Sequence, residues 1–120
     1  MSIQFKSIYP EKSRTASPDD SEAIEIAATG ANYVTAIWRL VSGSGGSSDQ
    51  TGNLKAQHSN DMVDWDDIPD GAFNQVSQGS EFPVEQELII YPKRKWLRWT
   101  MTHAGTTKIA TWGLMNIYHK

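Results

Sequence analysis

Period-two alternation of apolar and polar residues predicts an all-β fold, a single antiparallel β-sandwich or jelly roll of about eight short strands. Three observations carry that expectation. Segments rich in Val, Ile, Thr, Trp and Tyr repeat the spacing that places every second side chain on one face of a pleated strand. Turn-forming clusters of Gly, Pro, Asn, Asp and Ser separate them. No stretch carries a convincing helical period. The chain has 120 residues, 38% of them apolar. That is enough for one core without metal or disulfide support, so residues 1–120 read as one domain.

The strands follow in order. In "IQFKSIY", Ile3, Phe5 and Tyr9 fall on one side, Gln4 and Lys6 on the other. "AIEIAA" (23–28) puts Ile24 and Ile26 on a common face. "YVTAIWRLV" (33–41) sets Val34, Ala36, Trp38 and Leu40 against Tyr33, Thr35, Ile37, Arg39 and Val41. "NLKAQHS" (53–59) places Leu54, Ala56 and His58 together, opposite Lys55 and Gln57. "VDWDDI" pairs back on it. "VEQELIIY" (84–91), "WLRWTMTH" (96–103) and "KIATWGLMNIY" (108–118) complete the set. In "WLRWTMTH" the core face is Leu97, Trp99, Met101 and His103, and Trp96, Arg98, Thr100 and Thr102 face outward.

Three segments read as loops. "PEKSRTASPDDSE" (10–22) is polar and carries two prolines, so it is expected to cross the surface. "SGSGGSSDQTG" (42–52) has the composition of a flexible connector, read here as a long hairpin or crossover loop. "PDGAFNQVSQGSEFP" (69–83) contains an expected turn at Pro69-Asp70-Gly71.

Composition narrows the function classes. With 11 basic and 14 acidic residues the formal net charge is −3. Nucleic acid is not an expected partner, because phosphate neutralisation needs a basic surface. No segment approaches the roughly 20 apolar residues of a spanning helix, so no membrane contact is expected. The N-terminus lacks a basic start followed by an apolar run, so no signal peptide is expected. With no cysteine, a disulfide framework and thiolate zinc are excluded.

"LKAQHSNDMVDWDDIP" (54–69) concentrates Asp61, Asp64, Asp66 and Asp67 around Trp65. Calcium would require the spacing of a coordinating loop and a glycine for its sharp turn, and neither is present. Acid–base catalysis would require one carboxyl raised by burial, and nothing nearby promises a cleft. His58, His103 and His119 are dispersed, and no nucleophile elbow, metalloprotease motif or phosphate loop occurs. The reading is therefore a hairpin turned at Asn60-Asp61-Met62-Val63, with Trp65 folded over its base. His58, on the apolar side, is expected to be a hydrogen-bonded structural histidine. Neither catalysis nor a cofactor or metal is expected.

Leu54, Gln57, Ser59, Asp61, Trp65 and Ile68 resemble a hairpin written L-x-x-Q-x-S-x-D-G-x-x-W-x-x-I. It recurs in small β-sandwich structural proteins of tailed bacteriophages, above all capsid cement or decoration proteins. "RKWLRWTMTHAGTT" is similar to the R-Y-L-R-V-x-x-T-x-x-G strand of those proteins, so the resemblance spans roughly residues 33 to 118. Met62 stands where that hairpin has glycine, so either the turn differs or Asn60 or Asp61 takes the left-handed conformation. Discoidin-like carbohydrate-binding modules use a similar hairpin, and sialidase Asp-boxes resemble it with one more residue before the tryptophan.

The resemblance implies a non-enzymatic virion structural protein, made in the host cytoplasm and seated on the capsid surface. It would bind neighbouring subunits of the major capsid protein, often as a trimer. The alternatives are a carbohydrate-binding module, with Trp65, Trp96 or Trp112 as the sugar platform, and a phage tail or adaptor component. The residues themselves nominate an interface. Tyr33, Ile37 and Arg39 lie on the outward side of a strand apolar on both faces, which is usually covered on both. Lys93, Arg94, Lys95, Trp96 and Arg98 form a basic, tryptophan-bearing run in an acidic chain, and Trp and Arg are enriched at interface hot spots.

Overall fold

The computed structural model describes residues 5–120. The faces expected of Ile3 and Gln4 lie outside the described residues. Ten β segments and one helical turn follow in chain order: β1 (Phe5–Arg14), β2 (Asp19–Asp20), β3 (Ile24–Glu25), α1 (Ile26–Thr29), β4 (Tyr33–Ser42), β5 (Thr51–Ser59), β6 (Asp66–Ala72), β7 (Val76–Ser77), β8 (Val84–Ile90), β9 (Trp96–Ala104) and β10 (Ala110–His119). They form two antiparallel sheets, one ordered β1-β10-β4-β8 and the other β2-β9-β5-β6, with β3 also on β9 and β7 on β5. Taking β2 with β3, and β6 with β7, as single interrupted strands leaves eight. Each sheet then interleaves early and late strands, as a jelly roll does.

The expected inward faces hold. Val34, Ala36, Trp38 and Leu40 of β4, and Leu97, Trp99, Met101 and His103 of β9, are all buried. Trp38, Trp99 and Trp112 meet around Phe73, with Trp38–Phe73 and Phe73–Trp99 centroids 5.5 and 5.4 Å apart and Trp38 edge-on to Trp112. Asn116 lies on the inward face of β10, where Trp99 Nε1 donates to its Oδ1 at 2.9 Å, linking the sheets. Buried indole N–H groups usually find such a partner; those of Trp38 and Trp112 make no hydrogen bond within the chain.

Three local expectations are corrected. Residues 10–22 are not one loop: β1 continues to Arg14 past a bulge between Tyr9 and Lys12. Beyond it, Asp19 and Asp20 pair with Met101 and Thr100, and Ile24 and Glu25 with Leu97 and Trp96. Ser21 bridges the two pieces, its N–H donating to Trp99 O at 2.8 Å. An edge strand with one side open carries polar residues and a proline that a central strand would not.

"AIEIAA" is a strand only at Ile24–Glu25 and then makes the single turn α1. Thr29 Oγ1 donates to Ile26 O at 2.7 Å, and Gly30, at φ +69°, ends the turn. Pro69-Asp70-Gly71 falls inside β6, where Asp70 takes φ +58°. Between Gln57↔Asp67 and Lys55↔Ala72, β6 spends extra residues on a bulge rather than a chain reversal.

Residues 43–50 connect β4 to β5 but are fastened. Asp49 accepts Thr106 N–H and Oγ1–H, and buried Gln50 places Oε1 2.6 Å from both Ile109 N and His103 Nε2. Gly105, at φ +132°, runs against Gln50, where a Cβ would stand 2.8 Å from Gln50 Cα. The segment is thus a crossover loop between the two sheets, one of the two forms expected of it, tied by Asp49 and Gln50 to the β9–β10 connection.

Candidate partner interface

β4 is the origin of the surface that stands out. Its outward residues pair across the sheet, so Ile37 lies beside Met115 of β10, and Met115 beside Ile8 of β1. The next row joins Ile117, Thr35 and Ile89. Ile8 is 69% exposed, Ile89 47% and Tyr91 55%. The outer face of the β1-β10-β4-β8 sheet thus gathers Ile8, Met115, Ile37, Ile117 and Ile89 into an apolar cluster, bounded on β8 by Glu87 beside Ile37 and by Glu85 beside Arg39, opposite a side already covered by the core. A hollow of about 380 Å³ is let into it, lined by Ile8, Ile37, Arg39, Glu85 and Met115 among others.

Its two ends differ. At one, Arg39 sits beside Glu85 on β8 and 3.6 Å from Glu11, both members of that ion pair half exposed. At the other, Tyr33 stacks on His119 at 4.4 Å and stands 6.0 Å from Tyr91, whose ring has Lys93 Nζ at 5.9 Å.

The basic run lies elsewhere. Trp96 and Arg98 are outward residues of β9, on the opposite face of the sandwich, and β9 lies inside its sheet between β5 and β2/β3. Arg98 Nε donates to Gln57 Oε1 at 2.9 Å, its guanidinium lies 4.3 Å from the Trp65 ring and 3.7 Å from Asp20. Arg94 pairs with Asp66, and Lys95 lies 3.9 Å from Glu25. Gln57 and Lys55 both donate to Asp67, holding its carboxyl below the usual range. Most of these polar groups already have partners within the chain. Of the nominated residues, Tyr33, Ile37 and Arg39 share one face, Lys93 touches its margin through Tyr91, and Arg94, Lys95, Trp96 and Arg98 belong to the other.

The acidic hairpin is built as a turn. Ser59 Oγ accepts the N–H of Asp61 and Met62, while Asp61 Oδ1 accepts those of Val63 and Asp64 at 2.9 Å. Those donors hold the Asp61 carboxyl below its ordinary value. Met62 itself takes φ +62°, rather than Asn60 or Asp61. The Trp65 ring has the Arg98 guanidinium of β9 stacked 4.3 Å from it, and Arg98 in turn donates to Gln57 of the hairpin strand β5. His58 Nδ1 accepts Lys93 N–H at 3.1 Å, the structural role expected of it. Burial lowers the His58 pKa, and burial, then Lys108, lowers that of His103. Among the described residues no three His, Asp or Glu side chains converge as metal ligands. Trp112 is fully buried and can offer no ring to a sugar.

Ile8, Ile89, Met115 and Ile117 were not among the nominated residues. The signal was present: "GLMNIYH" is apolar at Met115 and Ile117 on one side and at Leu114 and Tyr118 on the other, as β4 is. What the sequence does not reveal is that β1, β10, β4 and β8 stand side by side.

No protein family matches the chain, and no curated protein matches it. Among solved structures, SPBc2 prophage-derived protein YomS is similar, with a TM-score of 0.51 and 12% identity over 98% of this chain and 96% of that one. The likeness runs the length of both chains, and what it establishes is a shared β-sandwich fold.

Proposed function

We propose that this chain is a non-enzymatic virion structural protein, a capsid cement or decoration protein that binds and stabilises neighbouring capsid subunits and assembles with itself. The observation that carries the reading is the outer face of the sheet β1-β10-β4-β8, where Ile8, Met115, Ile37, Ile117 and Ile89 form an apolar cluster rimmed by Glu85, Glu87 and Arg39. Apolar patches with a polar rim mark association sites. The hairpin resemblance and the fold shared with a prophage-derived protein support placing that association in a phage particle.

Purified chain is added to capsids of the particle encoded beside it. Saturable binding at a fixed ratio to the capsid protein, with a higher particle melting temperature, is the expected result. Capsids that neither bind the chain nor gain stability from it refute the reading.

A further inference from the structure

We propose that the occupant of the outer β1-β10-β4-β8 face is a second copy of this chain, packed face to face about a two-fold axis running across the strands. The proposal deepens the reading above by naming which partner covers that face, and it rests on that reading only in treating the face as an interface.

Area is the first argument. Four strands of up to ten residues, at ~3.3 Å per residue and ~4.8 Å between strands, present roughly 500–600 Å². Two such faces together bury on the order of 1,000–1,200 Å², where specific interfaces begin. Only near-complete overlap reaches that value, and a sheet face overlaps its own copy fully.

Charge is the second. One end of the strands carries Glu11 and Glu85 around Arg39, with Glu87 one row further in beside Ile37, and the other carries Lys93 beyond the Tyr33–Tyr91 pair. A two-fold axis parallel to the strands would set acid on acid. An axis across them lays Glu85 of each copy against the Tyr91–Lys93 end of the other, and places the rows of Ile37 and Ile117 between. The arrangement is self-complementary, as an isologous interface must be. It also differs from the three-fold assembly that the hairpin resemblance implies.

Sedimentation of the full chain over a range of micromolar concentrations tests the pairing. The expected species is about twice the 13.4 kDa chain mass. Ile37→Asp, and separately Ile8→Asp at a position already 69% exposed, should yield folded monomers by far-UV spectrum. Glu85→Lys should weaken association about tenfold or more, because like charges then face each other, and Lys93→Glu in the same chain should restore it. A monomer at every concentration overturns the proposal, as does a trimer, or a Glu85→Lys defect that Lys93→Glu leaves unrepaired. A monomer that still binds capsids removes the pairing and leaves the proposed function standing; a dimer that ignores capsids does the reverse.

Discussion

Arg14 offers the sharpest test of how the sandwich is closed at its β1 edge. Its side chain is 2% exposed although it follows "PEKS". The guanidinium lies 3.7 Å from the Tyr9 ring centroid and 4.4 Å from that of Trp112. It donates to Trp112 O and Pro10 O and stands 3.9 Å from Asp19, whose Oδ1 accepts the Tyr9 hydroxyl at 2.8 Å. The cluster pins the bulge of β1 and ties that strand to β2 in the other sheet. Arg14→Met keeps the aliphatic stem but removes the charge and both donors to the carbonyls. Hydrogen bonds from a charged donor contribute ~1.5–3 kcal/mol each. Breaking one side of a buried ion pair costs ~3–5 kcal/mol. These contributions overlap, because the same desolvated group makes all of them, so the expected loss is about 3–5 kcal/mol rather than their sum. With a urea slope near ~2 kcal/mol/M, the unfolding midpoint should fall by roughly 1.5–2.5 M. Arg14→Lys should recover little, since a lysine cannot stack as a plane and donate in a fork. A second readout is spectroscopic. Burial, then the Asp19 hydrogen bond, pushes the Tyr9 phenol up to about 12, while Arg14 draws it down. In Arg14→Met, Tyr9 should therefore ionise at still higher pH by ultraviolet titration. A midpoint shift worth less than about 1 kcal/mol, with Tyr9 ionising as in the parent, would refute the argument that this guanidinium holds the edge.

Three further outcomes follow from the same structure. Leu97→Ala, in the core, should lower stability by about 2–5 kcal/mol, while Trp96→Ala, whose ring already meets water, should lose less than about 1.5 kcal/mol by urea unfolding; the reverse order would mean that the faces of β9 are exchanged. His58 and His103 have pKa values held below 6.5, so between those lowered values and 6.5 the unfolded chain binds more protons than the folded one. Their contribution is complete above about pH 6.5 and is lost as the pH falls through the lowered values. His103→Gln should reduce the acid-side fall in melting temperature, and an unchanged profile would count against the burial of a neutral ring. Met62→Gly relieves a left-handed residue costing ~1–2 kcal/mol and loses part of that to a freer unfolded chain, leaving a gain of about 0.5–1 kcal/mol; a melting temperature that falls would show that the methionine side chain, not the backbone, governs this turn.

The alternation in "YVTAIWRLV" and "WLRWTMTH" determined which side chains enter the core, because strand geometry ties each residue's face to its parity with no reference to neighbours. The same local logic identified the Asp61 turn, since Ser and Asp side chains cap backbone groups a few residues away. Where the chain depends on partners distant in sequence, the sequence alone was insufficient. "PEKSR" reads as loop until β10 pairs with it, and Arg14 reads as solvated until Tyr9 and Trp112 close on it. The partners of the glycine-rich 43–50 connection are equally non-local, since Gln50 meets His103 and Ile109 from the far end of the chain. The outer apolar face shows this most clearly. Ile8, Ile37, Ile89 and Met115 are unremarkable in their own segments, as single exposed apolar residues are on any surface. Only the order β1-β10-β4-β8, set by non-local pairing, gathers them into one surface.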